Sequence, residues 1–296
     1  MILDETVLLA NGVAMPKLGL GTWRIGEGEA ARVVREAAAL GYRHFDTAQA
    51  YGNERSVGEG LRACGIARHE LFLTTKLVAE AKTYAEAKAR IDGSLSALGL
   101  DHIDLMLIHS PQPWAEFREG GSFDEGNLAA WRALEEACQA GKLRAIGVSN
   151  FEAADIDNLV AHGSVAPMVN QVLAHIGNTP FDLIDYCRAR GMVVEAYSPV
   201  AHGAALGHPQ LVAMAQTYGV SVAQLCIRYC LELGLVALPK TRTPDHMRSN
   251  AAVDFQISEA DMGALKAITG GMDYGKASAF PVFGKPRHPG ADKQAG

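Results

Sequence analysis

The chain has 296 residues, of which 48% are apolar, and it carries 27 basic and 33 acidic side chains for a formal net charge of −6. This apolar content is enough for a full core, and the length fits one α/β barrel, which takes about 250 residues. The acidic balance and the lack of any basic block argue against nucleic-acid binding, and no apolar run approaches the ~20 residues that span a bilayer.

Cysteine usage and the N-terminus indicate the compartment. The chain contains five cysteines: Cys64, Cys138, Cys187, Cys226 and Cys230. They form no CxxC pair, which is typical of reduced thiols in the cytosol, and the spacing of the last two is better explained by core packing. The first residues lack the basic region of a signal peptide, and Asp4 and Glu5 interrupt their apolar run. We therefore expect a cytoplasmic protein, and nothing in the sequence demands more than a monomer.

The first predicted element is a β-hairpin. In TVLLANGVAMP (residues 6–16) two apolar runs flank Asn11-Gly12. Asn-Gly between two such runs is the strongest short hairpin signal. The hairpin precedes the first of a series of strands, so we expect it to close the bottom of the sheet that they form.

Eight short apolar runs follow and alternate with helical patterns. The runs are residues 17–23, 42–45, 71–75, 103–108, 143–148, 168–170, 192–196 and 235–239. The helical patterns are residues 29–40, 54–63, 84–98, 128–140, 153–161, 181–189, 210–218, 221–233, 244–251 and 259–268. This alternation indicates an α/β protein with a parallel sheet, and eight units predict closure into a single (β/α)8 TIM barrel domain over residues 1–296. No GxGxxG opens any unit, which disfavours a Rossmann domain.

Two long loops and a C-terminal tail lie outside this pattern. The loops, residues 110–127 and 198–208, are rich in Gly or Pro, and long loops in compact domains usually carry function. The tail, about residues 270–296, has little periodicity. We expect part of it to lie over the rim of the barrel and the last ten residues to be disordered.

Seven of the predicted strands are each followed by a polar residue. These residues are Asp46, Lys76, His109, Asn150, Gln171, Tyr197 and Lys240. In a parallel barrel the C-terminal ends of all strands meet at one rim, where (β/α)8 enzymes carry out their chemistry. One such residue alone is most often a helix cap or a solvated charge. Seven together predict an active site.

Four polar side chains near this rim suit acid–base chemistry on a carbonyl oxygen. Tyr51 has an ordinary pKa near 10, too high for efficient proton transfer at neutral pH. A neighbouring ammonium favours the phenolate, so we expect Lys76 to lower this pKa and Asp46 to hold Lys76 in place. His109, on the next strand, can donate a hydrogen bond that orients the oxygen. With a hydride donor beside them, these residues predict a redox site in which Tyr51 protonates the oxygen.

Six motifs carry a resemblance to a known family. They are GYRHFDTAQAYGNERSVG (41–58), TTK (74–76), IHSP (108–111), IGVSNF (146–151), NQ (170–171) and AYSP (196–199). Together they resemble the aldo-keto reductases, NADPH-dependent (β/α)8-barrel enzymes, and most of all the bacterial 2,5-diketogluconate reductase and glyoxal reductase branch. The resemblance covers essentially the whole chain. It implies a catalytic tetrad of Asp46, Tyr51, Lys76 and His109.

The resemblance also implies a nicotinamide cofactor. Ser149, Asn150 and Gln171 would bind its carboxamide, since amide side chains supply both donors and acceptors. Tyr197 would stack on the nicotinamide ring, and the 198–208 loop would fold over the pyrophosphate. Further expected cofactor contacts are Thr22, Ser198, Val200 and Gly203.

The adenosine end departs from the family pattern. PKT (239–241) and Asn250 fit, but His246 and Ser249 stand where the family commonly has Arg and Glu. An Arg fork matches a phosphate better than an imidazole does. Arg242 and Arg248 lie nearby, and they are explained equally well as residues that help to bind a phosphate or as plain surface charge. We expect NADPH as the cofactor, with NADH secondary. The expected contacts at this end are Lys240, Thr241, Arg242, His246, Arg248 and Asn250.

The substrate pocket departs from the pattern too. Many relatives carry Trp directly after the catalytic His, whereas this chain has Ser110, with Trp114 four residues later. Trp23 ends the first strand, and Tyr51 and His109 complete the expected pocket. The small residue beside the catalytic His predicts a roomier and more polar mouth. We expect small aldehydes, 2-oxoaldehydes, keto-sugars and aromatic aldehydes as substrates.

Two other function classes are disfavoured. A non-catalytic, nicotinamide-binding regulatory barrel conflicts with the intact tetrad. A metal-dependent hydrolase needs clustered His and carboxylate ligands at strand ends. The ten histidines are scattered, no HxH occurs and only His109 ends a strand, so we expect no metal.

Overall fold

The computed structural model describes residues 1–270 and 272–284, and its first feature is the predicted hairpin. β1 (Thr6–Leu8) pairs antiparallel with β2 (Ala14–Pro16), and Gly12 has the positive φ of 83° that the turn requires. Leu9 and Met15 are buried in one apolar cluster with side chains of the barrel strands. The hairpin therefore closes the N-terminal end of the barrel, as predicted.

Eight parallel strands form the barrel. They are β3 (Gly19–Gly21), β4 (His44–Asp46), β5 (Phe72–Leu77), β6 (Ile103–Ile108), β7 (Leu143–Ser149), β8 (Val169–Leu173), β9 (Val193–Tyr197) and β10 (Val236–Leu238). Each strand pairs with the next in chain order. β10 returns to β3 through hydrogen bonds from Gly21 N to Pro239 O (3.0 Å) and from Ala237 N to Lys17 O (2.9 Å). The sheet is closed, and the predicted (β/α)8 TIM barrel is confirmed.

Helices connect the strands and pack on the outside of the barrel. They are α1 (Glu27–Ala39), α2 (Glu54–Ala63), α3 (Tyr84–Leu98), α4 (Asp124–Gln139), α5 (Ala153–His162), α6 (Phe181–Ala189), α7 (Pro209–Thr217), α8 (Val222–Glu232), α9 (Pro244–Ala251), α10 (Glu259–Ala267) and α11 (Pro281–Gly284). The predicted 128–140 helix begins earlier, at Asp124, because acidic residues in its first turn interact favourably with the helix dipole. Within residues 1–270 and 272–284, no helix has the length and apolar character needed to cross a membrane.

Side chains along the strands alternate between the helices and the inside of the barrel. Phe45 belongs to the core that lies between strands and helices, whereas its neighbours His44 and Asp46 bond to groups on other barrel strands. Phe72 and Leu105 belong to the separate apolar cluster inside the barrel. The inside is therefore apolar next to the hairpin and polar toward the C-terminal rim.

The segment after α10 lies over the C-terminal rim. A 3-10 turn (Gly275–Ala279) and α11 bring Phe280 and Phe283 against Trp23, with ring centroids 5.6 and 5.8 Å apart. The prediction that part of the tail covers the rim is confirmed. The predicted disorder of the last ten residues concerns positions outside the described residues.

The close packing inside the barrel predicts a cost for a single methyl group at Gly19. A Cβ at Gly19 would lie 2.6 Å from Leu238 Cδ2 and 2.8 Å from His44 Nδ1. We expect Gly19→Ala to lower the free energy of unfolding in urea by about 1–3 kcal/mol, the usual cost of overpacking. Gly93→Ala is the control, because an added Cβ on that exposed face of α3 has nothing within 4 Å and Ala favours helix. Equal urea midpoints for the two variants would contradict the packing.

Candidate active site

A buried ion pair lies at the C-terminal ends of β4 and β5. Lys76 Nζ is 2.7 Å from both carboxylate oxygens of Asp46 and 2.9 Å from the Thr47 carbonyl oxygen. Lys76 is only 1% exposed. Burial disfavours its ammonium, but the charge of Asp46 and the neighbouring Tyr51 outweigh burial, so the pKa of Lys76 is raised. The lysine is therefore charged at neutral pH.

Tyr51 stands beside this pair on a 3-10 turn (Gln49–Tyr51). Its hydroxyl is 3.3 Å from Lys76 Nζ, and the Gln49 side chain anchors the turn to α3 with two hydrogen bonds of 2.8 Å. Burial raises the pKa of Tyr51, the Lys76 charge offsets only part of this, and Asp46 adds to it. The prediction that Lys76 brings this pKa below its ordinary value is wrong, because the sequence shows the charge but not the burial. Tyr51 is a phenol, able to donate a proton, throughout the neutral range.

His109 follows β6 directly and lies next to Tyr51. The ring centroids of the two residues are 5.8 Å apart, and the Trp114 ring packs edge-on against His109 at 5.1 Å. Burial, with the Lys76 charge adding to it, holds the pKa of His109 well below its ordinary value, so the ring is neutral. Its buried Nδ1 has no hydrogen-bond partner among the described residues. A neutral imidazole has one N–H, which can donate to a carbonyl oxygen.

A cavity of about 500 Å³ opens at the rim beside these groups. Asp46, Tyr51 and His109 line it, and Lys76 lies directly behind Asp46 and Tyr51. The predicted cofactor residues that also line it are Ser149, Asn150, Gln171, Tyr197, Ser198, Val200, Gly203 and Lys240. Thr22 is a different case, since its buried hydroxyl donates to the Asp46 carbonyl oxygen (2.9 Å) and so supports the wall from behind. The structure thus brings the predicted tetrad and most predicted cofactor residues to one cavity.

Hydrogen bonds among the predicted carboxamide residues limit what they can offer. The Tyr197 hydroxyl donates to Asn150 Oδ1 (2.7 Å), and Asn150 Nδ2 donates to the His109 carbonyl oxygen and to Ser149 Oγ (3.1 Å each). Ser149 Oγ donates to the backbone carbonyl oxygen of Gln171 (2.9 Å). The polar hydrogens of Ser149 and Asn150 are therefore bonded within the protein. The Ser149 hydroxyl or the Asn150 amide must therefore rotate before either can donate to a carboxamide oxygen.

Gln171 links two carboxyl groups inside the barrel. Its Nε2 donates to Asp46 Oδ2 (2.8 Å) and to Glu195 Oε2 (3.0 Å). Of the Gln171 side chain, only the amide oxygen Oε1 is left, and it can accept a hydrogen bond from a carboxamide NH2 group. Glu195 is fully buried in the middle of β9. Sequence reasoning misses it, although a charged residue inside an otherwise apolar strand is a visible signal.

The loop after β9 has an unusual backbone. Ser198, Ala201 and His202 have φ values of 55°, 50° and 56°, in the left-handed region that residues other than glycine rarely adopt. The His202 ring lies 3.2 Å from Ser198 Oγ and packs edge-on against Trp23. Such backbone conformations persist only where surrounding contacts hold them, and they cluster at ligand clamps. This loop is therefore a candidate clamp over a bound ligand.

Two cations make one side of the cavity electropositive. Arg24 and Lys240 both line it, and the Arg24 guanidinium lies 4.4 Å above the Trp23 ring centroid. Burial, followed by the charges of Arg242 and Arg24, lowers the pKa of Lys240. Cations in this arrangement suit phosphate groups. Sequence reasoning misses Arg24, for which the available signal is its place directly after a strand end at the rim.

The other predicted adenosine contacts lie outside the cavity, on α9 or just before it. They are Thr241, Arg242, His246, Arg248 and Asn250. Arg242 pairs with Glu29 (3.0 Å) and Arg248 with Asp245 (2.6 Å). His246 is exposed, and Asn250 is buried. A phosphate bound here would have to displace the two acidic partners.

The substrate side of the cavity is aromatic. Trp23, Trp114, Phe280 and Phe283 line it. Ser110 does not, since it is fully buried and its hydroxyl accepts a hydrogen bond from the backbone two residues later (3.3 Å). The predicted polar mouth is therefore wrong, because Trp114 folds back over His109. Phe280 and Phe283 are missed by sequence reasoning, since the tail has no periodicity that would place them.

These features together define a class of protein, a (β/α)8 barrel with a candidate redox site in a cavity at its C-terminal rim. The model of the aldo/keto reductase family matches residues 17–269, and the chain belongs to this family. It is 41% identical over 272 residues to an uncharacterized oxidoreductase of Bacillus subtilis, covering 90% of this chain and 93% of the relative. It is 40% identical over 268 residues to a glyoxal reductase of the same bacterium, with the same coverage.

A solved structure shows the same architecture. The crystal structure of a Bombyx mori aldo-keto reductase in complex with NADP matches with a TM-score of 0.83 and 31% identity, over 94% of this chain and 98% of that one. The family resemblance inferred from the sequence is confirmed, and it supports carbonyl reduction as the general activity. In the described part of the chain, no three His, Cys, Asp or Glu side chains come together as a metal site requires.

The buried ion pair predicts a large cost when only one partner is removed. Lys76→Met leaves the Asp46 charge buried without its cation, so we expect the free energy of unfolding to fall by about 3–5 kcal/mol. Removing both charges, in Lys76→Met with Asp46→Asn, should cost less than the sum of the single changes. Lys142→Met is the control, since its pair with Asp92 is exposed and should contribute less than about 1 kcal/mol. Additive losses in urea unfolding would argue against the pair.

Proposed function

We propose that the protein reduces aldehydes and ketones to alcohols with NADPH, using Tyr51 as the proton donor. The observation that carries this proposal is the Tyr51 hydroxyl, 3.3 Å from Lys76 Nζ at the wall of the cavity. When bound, the reduced nicotinamide supplies a hydride to the carbonyl carbon. Tyr51 donates its proton to the carbonyl oxygen, and the adjacent Lys76 ammonium stabilises the phenolate that remains.

His109 has a separate role in this proposal. Its ring is neutral and adjoins the Tyr51 ring. A neutral imidazole donates a hydrogen bond without giving up its proton at this pH, so it orients the carbonyl oxygen while Tyr51 protonates it. Asp46 keeps the Lys76 ammonium in place from below. The four side chains thus divide binding, proton transfer and charge stabilisation between them.

The residues around the cavity fit a nicotinamide cofactor. Gln171 offers a carbonyl oxygen to the carboxamide NH2, and Ser149 or Asn150 can turn a donor toward the carboxamide oxygen. Tyr197 would present its ring to the nicotinamide. The 198–208 loop and Arg24 would hold the pyrophosphate. The NADP complex of the Bombyx mori relative supports this assignment.

The choice of NADPH over NADH rests on the cations near α9. Lys240, Thr241, Arg242 and Arg248 would hold the 2′-phosphate, with His246 and Asn250 beside them. The guanidinium groups must first leave Glu29 and Asp245. Both ion pairs are exposed and therefore contribute little energy. NADH is the secondary cofactor, because it lacks the phosphate that these cations would bind.

We infer small aldehydes, 2-oxoaldehydes, keto-sugars and aromatic aldehydes as substrates. The similarity to a glyoxal reductase supports the 2-oxoaldehydes. The aromatic side chains beside His109 favour compact or flat substrates, because Trp114 and Phe280 lie only 5.4 Å apart between ring centroids. We also infer a monomer that works in the cytoplasm, without nucleic acid or membrane. The five free cysteines, three of them buried, suit a reducing compartment.

Replacement of the proton donor tests the mechanism. Tyr51→Phe removes one hydroxyl and should lower kcat for carbonyl reduction by about 10²–10⁴-fold, the usual contribution of a general acid. The Kd for NADPH should stay nearly unchanged, because the hydroxyl faces the carbonyl oxygen rather than the cofactor. Turnover is followed by NADPH absorbance with methylglyoxal, glyceraldehyde and benzaldehyde, and Kd by fluorescence titration.

Tyr84→Phe is the matched control for this change. Tyr84 donates to Glu136 on the outside of the barrel, so the same loss of a hydroxyl there should leave kcat unchanged. A Tyr51→Phe enzyme with the turnover of the Tyr84→Phe enzyme would refute the role of Tyr51.

Cofactor choice is tested at Arg242. Arg242→Ala should raise the KM for NADPH by roughly tenfold, as expected for the loss of a charged hydrogen bond, and leave the KM for NADH unchanged. Arg190→Ala is the control, because Arg190 pairs with Asp157 on the outer surface. Equal kcat/KM with the two cofactors in the unmodified protein would overturn the preference for NADPH.

A further inference from the structure

A buried carboxyl group that the proposed mechanism does not use lies inside the barrel. Glu195 is fully buried in β9, and its register partner on β8 is Gln171. Oε2 of Glu195 accepts the hydrogen bond from Gln171 Nε2 (3.0 Å). Oε1 is buried and has no hydrogen-bond partner in residues 1–270 and 272–284. A buried carboxylate normally has its oxygens paired, so the protonation state of Glu195 needs a physical explanation.

The tautomer of His44 affects the protonation state of Glu195, because it decides whether the ring offers a donor or an acceptor to the carboxyl group. His44 Nδ1 is 3.2 Å from the Pro16 carbonyl oxygen, which can only accept, so Nδ1 carries the hydrogen. Nε2 is then the acceptor, and the Thr74 hydroxyl donates to it at 3.0 Å. Burial lowers the pKa of His44 to about 4, so the ring is neutral at neutral pH.

His44 Nε2 is also the polar atom that faces Glu195, 3.6 Å from Oε1. With a neutral His44, this contact is not an ion pair. The single lone pair of Nε2 already accepts from Thr74, so His44 offers Oε1 no hydrogen-bond donor. An ionised Oε1 would be buried without any donor beside it and would face the electron-rich Nε2, whereas a neutral carboxylic acid avoids both costs. The geometry therefore favours a protonated Glu195 whose Oε2 accepts from Gln171.

The charges around Glu195 lead to the same result. β4 contributes neutral His44 and ionised Asp46, β5 contributes Lys76, and β8 contributes the uncharged Gln171. β10 contributes the apolar Val236, the register partner of Glu195, and Gly19 on β3 lies against the His44 ring. Lys76 is already paired with Asp46, so a second carboxylate would be a buried charge without a cation. Burial, with Asp46 adding to it, raises the pKa of Glu195 to about 8.

We propose that Glu195 is a positioning residue which, as a neutral carboxylic acid, holds the Gln171 amide between Asp46 and the cofactor site. With both amide hydrogens of Gln171 bonded to carboxyl oxygens, its carbonyl oxygen is fixed toward the cavity. The carboxamide of the cofactor and the Asp46–Lys76 pair then share one side chain. This proposal rests on the proposed function, since it assigns the orientation of a group that would bind nicotinamide.

Three variants test the proposal. Glu195→Gln keeps the shape and the neutral state, and its amide oxygen can accept the hydrogen bond that Gln171 Nε2 donates. Glu195→Leu keeps much of the volume but leaves one Gln171 N–H without an acceptor. Glu54→Gln is the control, because Glu54 is another buried acid, bonded to Thr75 and Ser94 and not to Gln171.

The first measurement is on the free protein and needs no activity. At pH 7 the infrared spectrum should contain the C=O band of a protonated carboxylic acid that is absent from Glu195→Gln but present in Glu54→Gln. The band should disappear as the pH rises through about 8. Absence of a Glu195 band at pH 7 would mean an ionised residue and would overturn the proposal.

Stability gives an independent readout with a definite sign. The pKa of Glu195 is raised from 4.5 to about 8 in the folded protein. Between these two pH values the folded protein keeps the Glu195 proton, whereas the unfolded chain loses it. The stabilisation from this group is therefore complete below pH 4.5 and is lost as the pH rises through 8. The urea midpoint of Glu195→Gln should fall less over this range than that of the unmodified protein or of Glu54→Gln. Parallel curves would contradict the protonated state.

Cofactor binding tests the positioning role. Glu195→Leu should raise the Kd for NADPH and lower kcat/KM by about tenfold each, the effect of one unsatisfied buried donor. Glu195→Gln should restore both to within about twofold, and Glu54→Gln should leave both unchanged. Unchanged Kd in Glu195→Leu, or no rescue by Gln, would refute positioning. If no carbonyl compound is reduced, the proposed function fails on its own, while the infrared and binding results still decide the state of Glu195.

Discussion

The arrangement of the site depends on one constraint, which is that a lysine cation is enclosed in the C-terminal end of a barrel. Lys76 can stay charged there only because Asp46, the Thr47 carbonyl oxygen and the Tyr51 hydroxyl all lie within 3.3 Å of its Nζ. Removing an ion from water is costly unless such partners replace the solvent. The same constraint places the Tyr51 hydroxyl, the proposed proton donor, next to the cation, so stability and the proposed chemistry have a common origin.

The barrel interior beneath this ion pair is layered. Next to the hairpin the interior is apolar, with Met15 and Phe72 in one cluster. Above it, Gly19 leaves room for the His44 ring, because any Cβ there would lie within 2.8 Å of the imidazole. The polar groups that follow are bonded to one another, and Gln171 connects them to the cavity. Burial beneath this ion pair is the main cause of the lowered pKa of His44 and the raised pKa of Glu195.

The mouth of the cavity combines two different surfaces. On one side Arg24 and Lys240 provide positive charge suited to phosphates, and on the other Trp114 and Phe280 provide apolar area. The 198–208 loop, with its left-handed residues, lies among the lining elements. This division would place the phosphates of a dinucleotide on one side and a compact carbonyl substrate on the other. The nicotinamide and the substrate would then meet at the proposed tetrad.

Sequence alone determined the barrel and the hairpin, because both follow from local patterns, namely strand and helix periodicity and Asn11-Gly12. Polar residues at strand ends and the family resemblance predicted the tetrad. The sequence did not determine the pKa of Tyr51, the aromatic mouth or the buried position of Glu195. Those depend on how deeply a group is buried and on contacts between distant segments, such as Gln171 with Asp46, 125 residues apart, or Phe280 with Trp23. Electrostatic energy depends on solvent exclusion as much as on charge, and only the tertiary structure decides which charges lose their water.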